Sequence, residues 1–415
     1  VKEKNRCLVV KFGGASLGDG ARILKAIKAV SDEVKNGTKV AVVVSAIGKT
    51  TDNLIETAKQ ACGSDVSVKE LDDILSMGER TSARVFTAGL RECGVETRYF
   101  DPADDEWPII TDEAFNNAKP AVPLCEELVQ RHVQPVMERG VVPVIPGFIG
   151  KTKDGSITTL GRGGSDTTAF ILGKALKADQ IVLVTSVEGI MTADPKVVSK
   201  PRVLREIGVE ALAGLADSDV KFIHKKALKY KDPSIDVKVI DYNAGRLDSE
   251  GTIIHGGLPK ELAVDLAYER PVVAVTIVGK ALADSPKVLS RVVEEVRKVG
   301  ASNLGMSTNA DSLILYLPEE NASRLLEALH TVVLEHHSET LALAARRNLA
   351  FIKVRGVGLE ETPGVIGSIA GPLHENAINI AGILTITSSI LVFVDWVERE
   401  RVIKLVQEAL REGKR

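Results

Sequence analysis

Cysteine is scarce in this chain of 415 residues, and the four present, Cys7, Cys62, Cys93 and Cys125, have no partner at CxxC spacing and no histidine close by. That pattern excludes a disulfide framework and a zinc knuckle, leaving small buried thiols as the plain reading. No sign of charge dominates: 53 Lys plus Arg stand against 56 Asp plus Glu, a formal net charge of -3. Nucleic-acid binding calls for a basic face, so that class of partner is set aside. Apolar runs are short, none reaching the roughly 18 residues of a membrane helix. The charged opening Val1 to Arg6 leads into no signal-type apolar core. A cytoplasmic protein without a membrane partner is expected. The seven histidines are scattered, and the adjacent His336 and His337 cannot share one helix face. No dedicated metal site is therefore expected.

Two absences bear on phosphate chemistry. The triplets Gly48-Lys49-Thr50 and Gly150-Lys151-Thr152 invite a Walker A reading, but the glycine required five positions earlier is replaced by Val43 and Ile145. Protein-kinase signatures such as HRD or DFG are also missing. Any handling of phosphate must use another architecture.

What the chain does contain is a regular alternation. Leu8 to Phe12, Val40 to Val44, Val141 to Ile145 and Ile181 to Val184 are apolar runs of strand length. Between them lie helical patterns over Ala21 to Asn36, Asn53 to Cys62 and Val68 to Leu90. Strands apolar on both faces need helices covering both faces, which predicts a three-layer α/β/α sandwich with a mainly parallel sheet over about 1–262. Gly155, after Asp154, predicts a hairpin between Phe148 and Thr159. Beyond that the texture changes and the chain repeats itself at a shift of 77 residues, Gly279 falling on Gly356, Pro286 on Pro363 and Ser312 on Ser389. Each copy, 270–346 and 347–415, reads strand, helix, strand, strand, helix, with a last strand expected but not visible. Copies of this size are small for independent stability, so they are expected to pack on each other or on a second subunit.

Two glycine-rich elements stand out. Lys11 at a strand end, followed by Gly13 and Gly14, places a point charge beside backbone N–H groups that can approach an anion, although a plain turn has the same composition. The block Gly161-Arg162-Gly163-Gly164-Ser165-Asp166-Thr167-Thr168 joins three glycines and an arginine to the start of a helix whose apolar face is Phe170, Ile171, Leu172 and Leu176. An anion site explains it better than a structural turn, with Ser165 or Asp166 capping the helix.

These elements, with the Ser45-Ala46 strand end, the Gly78-Glu79 pair, Gly189-Ile190, Thr192-Ala193-Asp194-Pro195-Lys196 and Val220-Lys221-Phe222-Ile223-His224, resemble the aspartate kinases of the amino acid kinase family. The tail repeat is similar to that family's paired ACT modules, of ferredoxin-like βαββα(β) form. The resemblance implies transfer of the γ-phosphate of MgATP to the side-chain carboxylate of L-aspartate, giving 4-phospho-L-aspartate, the first step toward lysine, threonine and methionine. Phosphoryl transfer of this kind needs positioning and charge neutralisation rather than covalent help, and a carboxylate nucleophile needs no base. By carry-over, Lys11 neutralises the transferring phosphoryl, Gly13 and Gly14 donate backbone hydrogen bonds, and Asp166 orients Lys11. Glu79 faces the α-amino group and Arg162 grips the α-carboxylate. Ser45 and Thr51 bind the substrate near its reacting end. Thr185, Ser186, Met191, Asp194, Lys196 and Lys221 fall on the nucleotide side, and Mg2+ arrives with ATP.

The chain departs from the family pattern at Ala15, Ser186, Met191 and Lys225, where threonine, aspartate, tyrosine and proline are usual. These departures imply a weakened or altered nucleotide contact with the charged set intact. For the tail, the resemblance implies binding of an end-product amino acid as feedback effector, with Ser285 and Asn303 in one copy and Thr362 and Asn379 in the other as its contacts. Serine, threonine and asparagine equally suit caps and turns, in which case the copies serve as a dimerisation platform. A homodimer or higher homo-oligomer through these modules is expected. The competing readings are another amino acid kinase, such as an N-acetylglutamate or glutamate kinase, and a catalytically silent amino-acid sensor. Glu79 argues against an acylated substrate, since an acylated amine carries no charge to compensate a buried carboxylate.

Overall fold

The computed structural model describes residues 6–63, 66–194, 197–215, 223–258, 262–356, 359, 364–386 and 389–412, without the side chains of Lys225 and Glu412. The chain divides into two compact units, 1–258 and 259–415.

Ten strands lie among the described residues of the first unit: β1 (Cys7–Phe12), β2 (Lys39–Val44), β3 (Thr97–Tyr99), β4 (Val142–Pro146), β5 (Ile149–Lys151), β6 (Ile157–Thr159), β7 (Gln180–Thr185), β8 (Glu206–Gly208), β9 (Asp236–Asp241) and β10 (Thr252–His255). Eight of them form one sheet in the order β3-β4-β2-β1-β7-β9-β10-β8. All neighbours pair parallel except β9 with β10. The apolar runs behave as their composition requires: Val9, Val10, Val42, Val43, Val44, Ile181 and Val182 are wholly buried. Helices α1 (Gly20–Lys35), α2 (Thr50–Cys62) and α3 (Val68–Glu92) follow β1 and β2, and α4 (Val122–Leu128) and α5 (Gln134–Glu138) precede β4, separated by a single π-helical stretch. Helix α6 (Gly164–Ala175) precedes β7, while α7 (Val209–Leu215) and α8 (Lys225–Leu228) follow β8. Two helix starts have local causes: the Asp19 side chain accepts from Arg22 N–H at the head of α1, and Ser67 accepts from Glu70 N–H at the head of α3.

The strand order places the site. The chain leaves β1 for β2 on one side, while β7 pairs on the other, so a crevice opens beyond the carboxyl ends of β1, β2 and β7. Strands β5 and β6 form the expected hairpin, with Gly155 at φ +92°. That hairpin delivers the Gly161 block into the crevice and is held there by Asp72 of α3. The Asp72 carboxylate is fully buried and accepts from Thr159 N–H at 2.8 Å, Thr159 Oγ at 2.7 Å and Asn116 N–H at 2.9 Å. Burial pushes its pKa up against those donors. Asp72→Ala leaves the buried Thr159 amide and hydroxyl and the half-buried Asn116 amide without their acceptor and is expected to cost about 3 kcal/mol, read as a fall in the urea midpoint with unchanged m-value.

The second unit contains β11 (Ala263–Leu266), β12 (Val272–Gly279), β13 (Gly305–Thr308), β14 (Ser312–Pro318), β15 (Thr340–Arg355), β16 (Ile380–Ile386) and β17 (Ser389–Asp395), with helices α9 (Pro286–Val299), α10 (Ala322–Glu335), α11 (Val365–Glu375) and α12 (Arg399–Glu412). All seven strands join in one sheet, β13-β14-β12-β15-β17-β16, with β11 added on β15. The strand that the repeat pattern left unseen is found twice. The first half of β15 pairs with β12 and completes the first ferredoxin-like module. The second half of β15 opens the second module, whose fourth strand is β11, paired antiparallel over 352–355 and lying ahead of the first module in sequence. A repeat comparison could not see it, because a four-residue strand upstream has no counterpart at the 77-residue shift. Each module has its own aliphatic core, Val273 to Val333 in one and Val264 with Ala350 to Leu410 in the other. A third cluster joins them, where Tyr316 of β14 stacks on Phe393 of β17 at 3.6 Å between ring centroids. The tight packing expected of two small modules is thus met within one chain.

Candidate active site

Lys11 is the penultimate residue of β1, and its side chain points toward the first turn of α6. Its Nζ lies 2.6 Å from Asp166 Oδ1, with side chains 15% and 8% exposed. The contact is an ion pair rather than an aligned hydrogen bond, since Oδ1 is buried and accepts none. Next to it, Ser45 Oγ at the end of β2 donates to Ser165 Oγ at 3.0 Å, and Ser45 N–H donates to Phe12 O. The following residue, Ala46, donates its N–H to Glu79 Oε1 at 3.0 Å. These links form one connected chain: Lys11, Asp166, Ser165, Ser45, Ala46 and Glu79.

Glu79 is the unusual member. Only 3% of it is exposed, and its second oxygen, Oε2, is buried without a hydrogen-bond partner. Burial raises its pKa to about 7, against the lowering effect of the Ala46 N–H. Gly78 makes the approach of α3 possible, because a Cβ there would sit 2.9 Å from Ala46 Cβ. A buried carboxylate that keeps a vacant oxygen can receive a cation at little further desolvation cost.

The glycines divide their tasks differently from expectation. Gly13 N–H donates to Val184 O at 3.1 Å, so it joins β1 to β7 and is not free for an anion. A Cβ on Gly14 would stand 3.0 Å from Ala46 O and 3.1 Å from Gly48 O, so its missing side chain lets the turn close against the end of β2. The cap of α6 is also corrected: Gly163, at φ +77°, occupies the N-cap with no side-chain cap, and Ser165 and Asp166 lie inside the first turn. An acid in that turn faces the positive end of the helix, a favourable contact between charge and dipole.

Arg162 stands exposed between the left-handed Gly161 and Gly163, and Thr51 is half-buried in the first turn of α2. Among the described residues neither side chain makes a hydrogen bond or ion pair within the protein, so both are available to a ligand. Thr185 ends β7 beside Gly13, and Ser186 is exposed after it. Met191 is half-buried and bridges Val203, and Asp194 O accepts from Val197 and Val198 N–H. Lys196 and Lys221 lie outside the described residues. In the second unit, Ser285 is the N-cap residue of α9, but its Oγ donates to Ala281 O at 3.1 Å. Asn303 and Asn379 are exposed ahead of β13 and β16, and Thr362 lies outside the described residues.

Several supporting residues were not singled out from the sequence. Asp72 has ordinary neighbours in sequence and acts only through contacts 44 and 87 positions away, and Ser165, legible only as a cap candidate, meets Ser45 from 120 positions away. Phe148 adopts φ +68° to turn β4 into the hairpin, a conformation its residue type does not advertise. Among the described residues there is no group of three or more His, Cys, Asp or Glu able to hold a metal ion, and no helix long and apolar enough to cross a membrane.

Comparison with known proteins agrees with this geometry. The amino acid kinase family model matches residues 6–241. An aspartokinase of Bacillus sp. is 31% identical over 98% of this chain and 96% of its own length. One from Thermus thermophilus is 30% identical over 97% and 98%. Among solved structures, the aspartate kinase of Synechocystis superposes with a TM-score of 0.80 at 25% identity, covering 97% of this chain and 69% of that one. Escherichia coli aspartokinase III, in complex with aspartate and ADP, shares the fold at 24% identity with a TM-score of 0.56, covering 98% of this chain and all of that one. With the family model spanning more than half the chain and relatives at 30 and 31% identity along nearly all of it, this chain belongs to the aspartokinases of the amino acid kinase family.

Proposed function

We propose that this chain catalyses transfer of the γ-phosphate of ATP to the side-chain carboxylate of L-aspartate. The observation that carries the reading is Glu79: a buried carboxylate with one oxygen unpartnered, linked through Ala46 and Ser45 to the Lys11–Asp166 pair. That arrangement suits a substrate carrying an ammonium at one end and a nucleophilic carboxylate at the other. Glu79 receives the α-ammonium, and Arg162 takes the α-carboxylate in bidentate fashion. Ser45 and Thr51 hold the reacting end, which is already ionised and attacks without a base. Lys11 offsets the charge on the equatorial oxygens of the transferring group, and Asp166 keeps its ammonium in place. Gly14 keeps the turn after β1 close enough for backbone donors to approach.

Thr185, Ser186, Met191, Asp194, Lys196 and Lys221 make up the nucleotide side, and Mg2+ would enter with ATP and neutralise part of its phosphate charge. Ser186 is exposed where the family usually has a carboxylate to accept from ribose. Ser186→Asp is therefore expected to tighten ATP binding about fivefold, the worth of roughly 1 kcal/mol for one added hydrogen bond. An unchanged KM for ATP removes that assignment. In the second unit, an end-product amino acid is proposed to bind at the loops before α9 and β13, with Asn303 the better placed contact because Ser285 Oγ is already engaged.

The direct test is acyl-phosphate formation trapped as the hydroxamate, with L-aspartate, L-glutamate and N-acetyl-L-glutamate compared at saturating ATP and Mg2+. Signal with aspartate alone is expected. Equal or greater signal with N-acetyl-L-glutamate rejects the role given to Glu79. No signal with any of the three, from folded protein that still binds an amino acid, favours a sensor.

A further inference from the structure

The turn that carries Arg162 is weakly constrained by its own residues. Gly161 and Gly163 both occupy the left-handed region, at φ +71° and +77°, and Arg162 between them is exposed. Its internal closure is one backbone bond, Gly164 N–H to Gly161 O at 2.9 Å. A long cationic side chain on such a turn samples many directions, and ordering it for a bidentate contact costs conformational entropy at the moment of binding.

A second element reaches this turn from α8. Lys226 Nζ donates to Leu160 O, the carbonyl immediately before Gly161, at 2.8 Å, and it also donates to Asn117 Oδ1. Asn117 in turn lies against Gly161: a Cβ on that glycine would stand 3.1 Å from Asn117 Oδ1 and 2.9 Å from Asn116 O. On the other side of Arg162, a Cβ on Gly163 would collide with His224 Cβ, two residues before Lys226. The start of α8 and the 116–117 loop therefore grip the turn at both glycines, and the half-buried Lys226 ammonium is the charge-assisted link among the three segments.

We propose that Lys226 is a positioning residue for the amino-acid substrate, holding the Gly161-Arg162-Gly163 turn through the Leu160 carbonyl so that the Arg162 guanidinium is pre-aimed. This rests on the reading above that Arg162 binds the α-carboxylate. Pre-aiming lowers the ordering cost of binding and leaves the chemistry of transfer untouched, so its loss appears in the KM for aspartate and not in kcat or in the KM for ATP.

The test is a double-mutant cycle in the full-length chain. Lys226→Met is expected to raise the KM for aspartate about tenfold, with kcat within about twofold and the KM for ATP unchanged. Lys226→Arg, which keeps a charged donor, restores it to within about threefold. In an Arg162→Ala background, Lys226→Met should add nothing further to the aspartate KM, because the group it positions is gone. Full additivity of the two effects, or a lower melting temperature with an unchanged aspartate KM, overturns the proposal. If Arg162→Ala alone leaves that KM unchanged, it is the assignment of Arg162 that fails. Should Lys226→Met not fold, Lys226→Gln keeps an amide donor without the charge, and it must shift the aspartate KM in the same direction for the proposal to stand.

Discussion

Lys11→Ala is expected to lower kcat about 1,000-fold while changing the KM for aspartate little, the pattern of a charge that acts on the transition state. The Lys11 side chain is 15% exposed and its ammonium faces Asp166 at 2.6 Å, so it acts where water screens it poorly. Lys11→Arg is not expected to rescue the rate, because a planar guanidinium cannot occupy the point position of an ammonium between Asp166 and the turn after β1. Stability should fall as well. Removing one partner of a largely buried pair leaves Asp166 uncompensated, at a cost of about 2 to 3 kcal/mol once the residual exposure is discounted. The two consequences separate in the double variant Lys11→Ala/Asp166→Ala, which should recover stability in urea while kcat stays at the level of the single variant. Retention of more than a tenth of kcat in Lys11→Ala would remove Lys11 from the machinery.

Glu79→Gln should raise the KM for aspartate about 100-fold at pH 8, because an amide cannot balance an ammonium in a buried site. The pH dependence supplies the sharper check. With its pKa raised to about 7 by burial, the free protein holds Glu79 protonated below that pH. Aspartate binding requires the ionised form, so the aspartate KM should rise about tenfold for each pH unit below about 7 in the wild type. The profile should be flat in Glu79→Gln. The sign for stability is the reverse. A carboxyl whose folded pKa lies above its unfolded value of 4.5 lends stability at low pH that is lost as pH rises through about 7. At pH 8 the unliganded wild type therefore carries an uncompensated buried charge, and Glu79→Gln should be the more stable protein by up to about 3 kcal/mol, a gap that closes toward pH 4.5. Equal urea midpoints for the two proteins at pH 8 and pH 5 would falsify the link between the vacant Oε2 and the raised pKa.

The parts of the site legible in the sequence are those in which local composition carries chemistry. A lysine at the end of an apolar strand followed by glycines, and a glycine-arginine block opening a helix, each announce an anion-facing turn from a few adjacent residues. What adjacent residues cannot announce is which donor is already engaged. Gly13 has the composition of an anion donor, yet its N–H closes the β1–β7 pairing, a bond made with Val184 far along the chain. The same blindness applies to the cap of α6. Serine and aspartate are good caps in isolation, but the left-handed Gly163 pressed against His224 caps the helix two or three residues earlier. Asp72 and Lys226 gave no signal because their roles depend on partners whose proximity the fold creates.

By itself the sequence determined the layered α/β architecture, through strands apolar on both faces, and the doubled module of the tail, through its 77-residue period. It also determined the kind of chemistry, since the charged residues and glycines that handle phosphate must be present whatever the fold does with them. The tertiary structure decided the rest. It brought Lys11 of β1 to Asp166 of α6, and Glu79 of α3 to the end of β2 with one oxygen left vacant. It also drew the fourth strand of the second module from ahead of the first. The division has one physical origin. Hydrophobic periodicity and turn chemistry are summed over near neighbours and survive in the one-dimensional string, whereas burial, pairing and pKa depend on groups that meet only after the chain has closed.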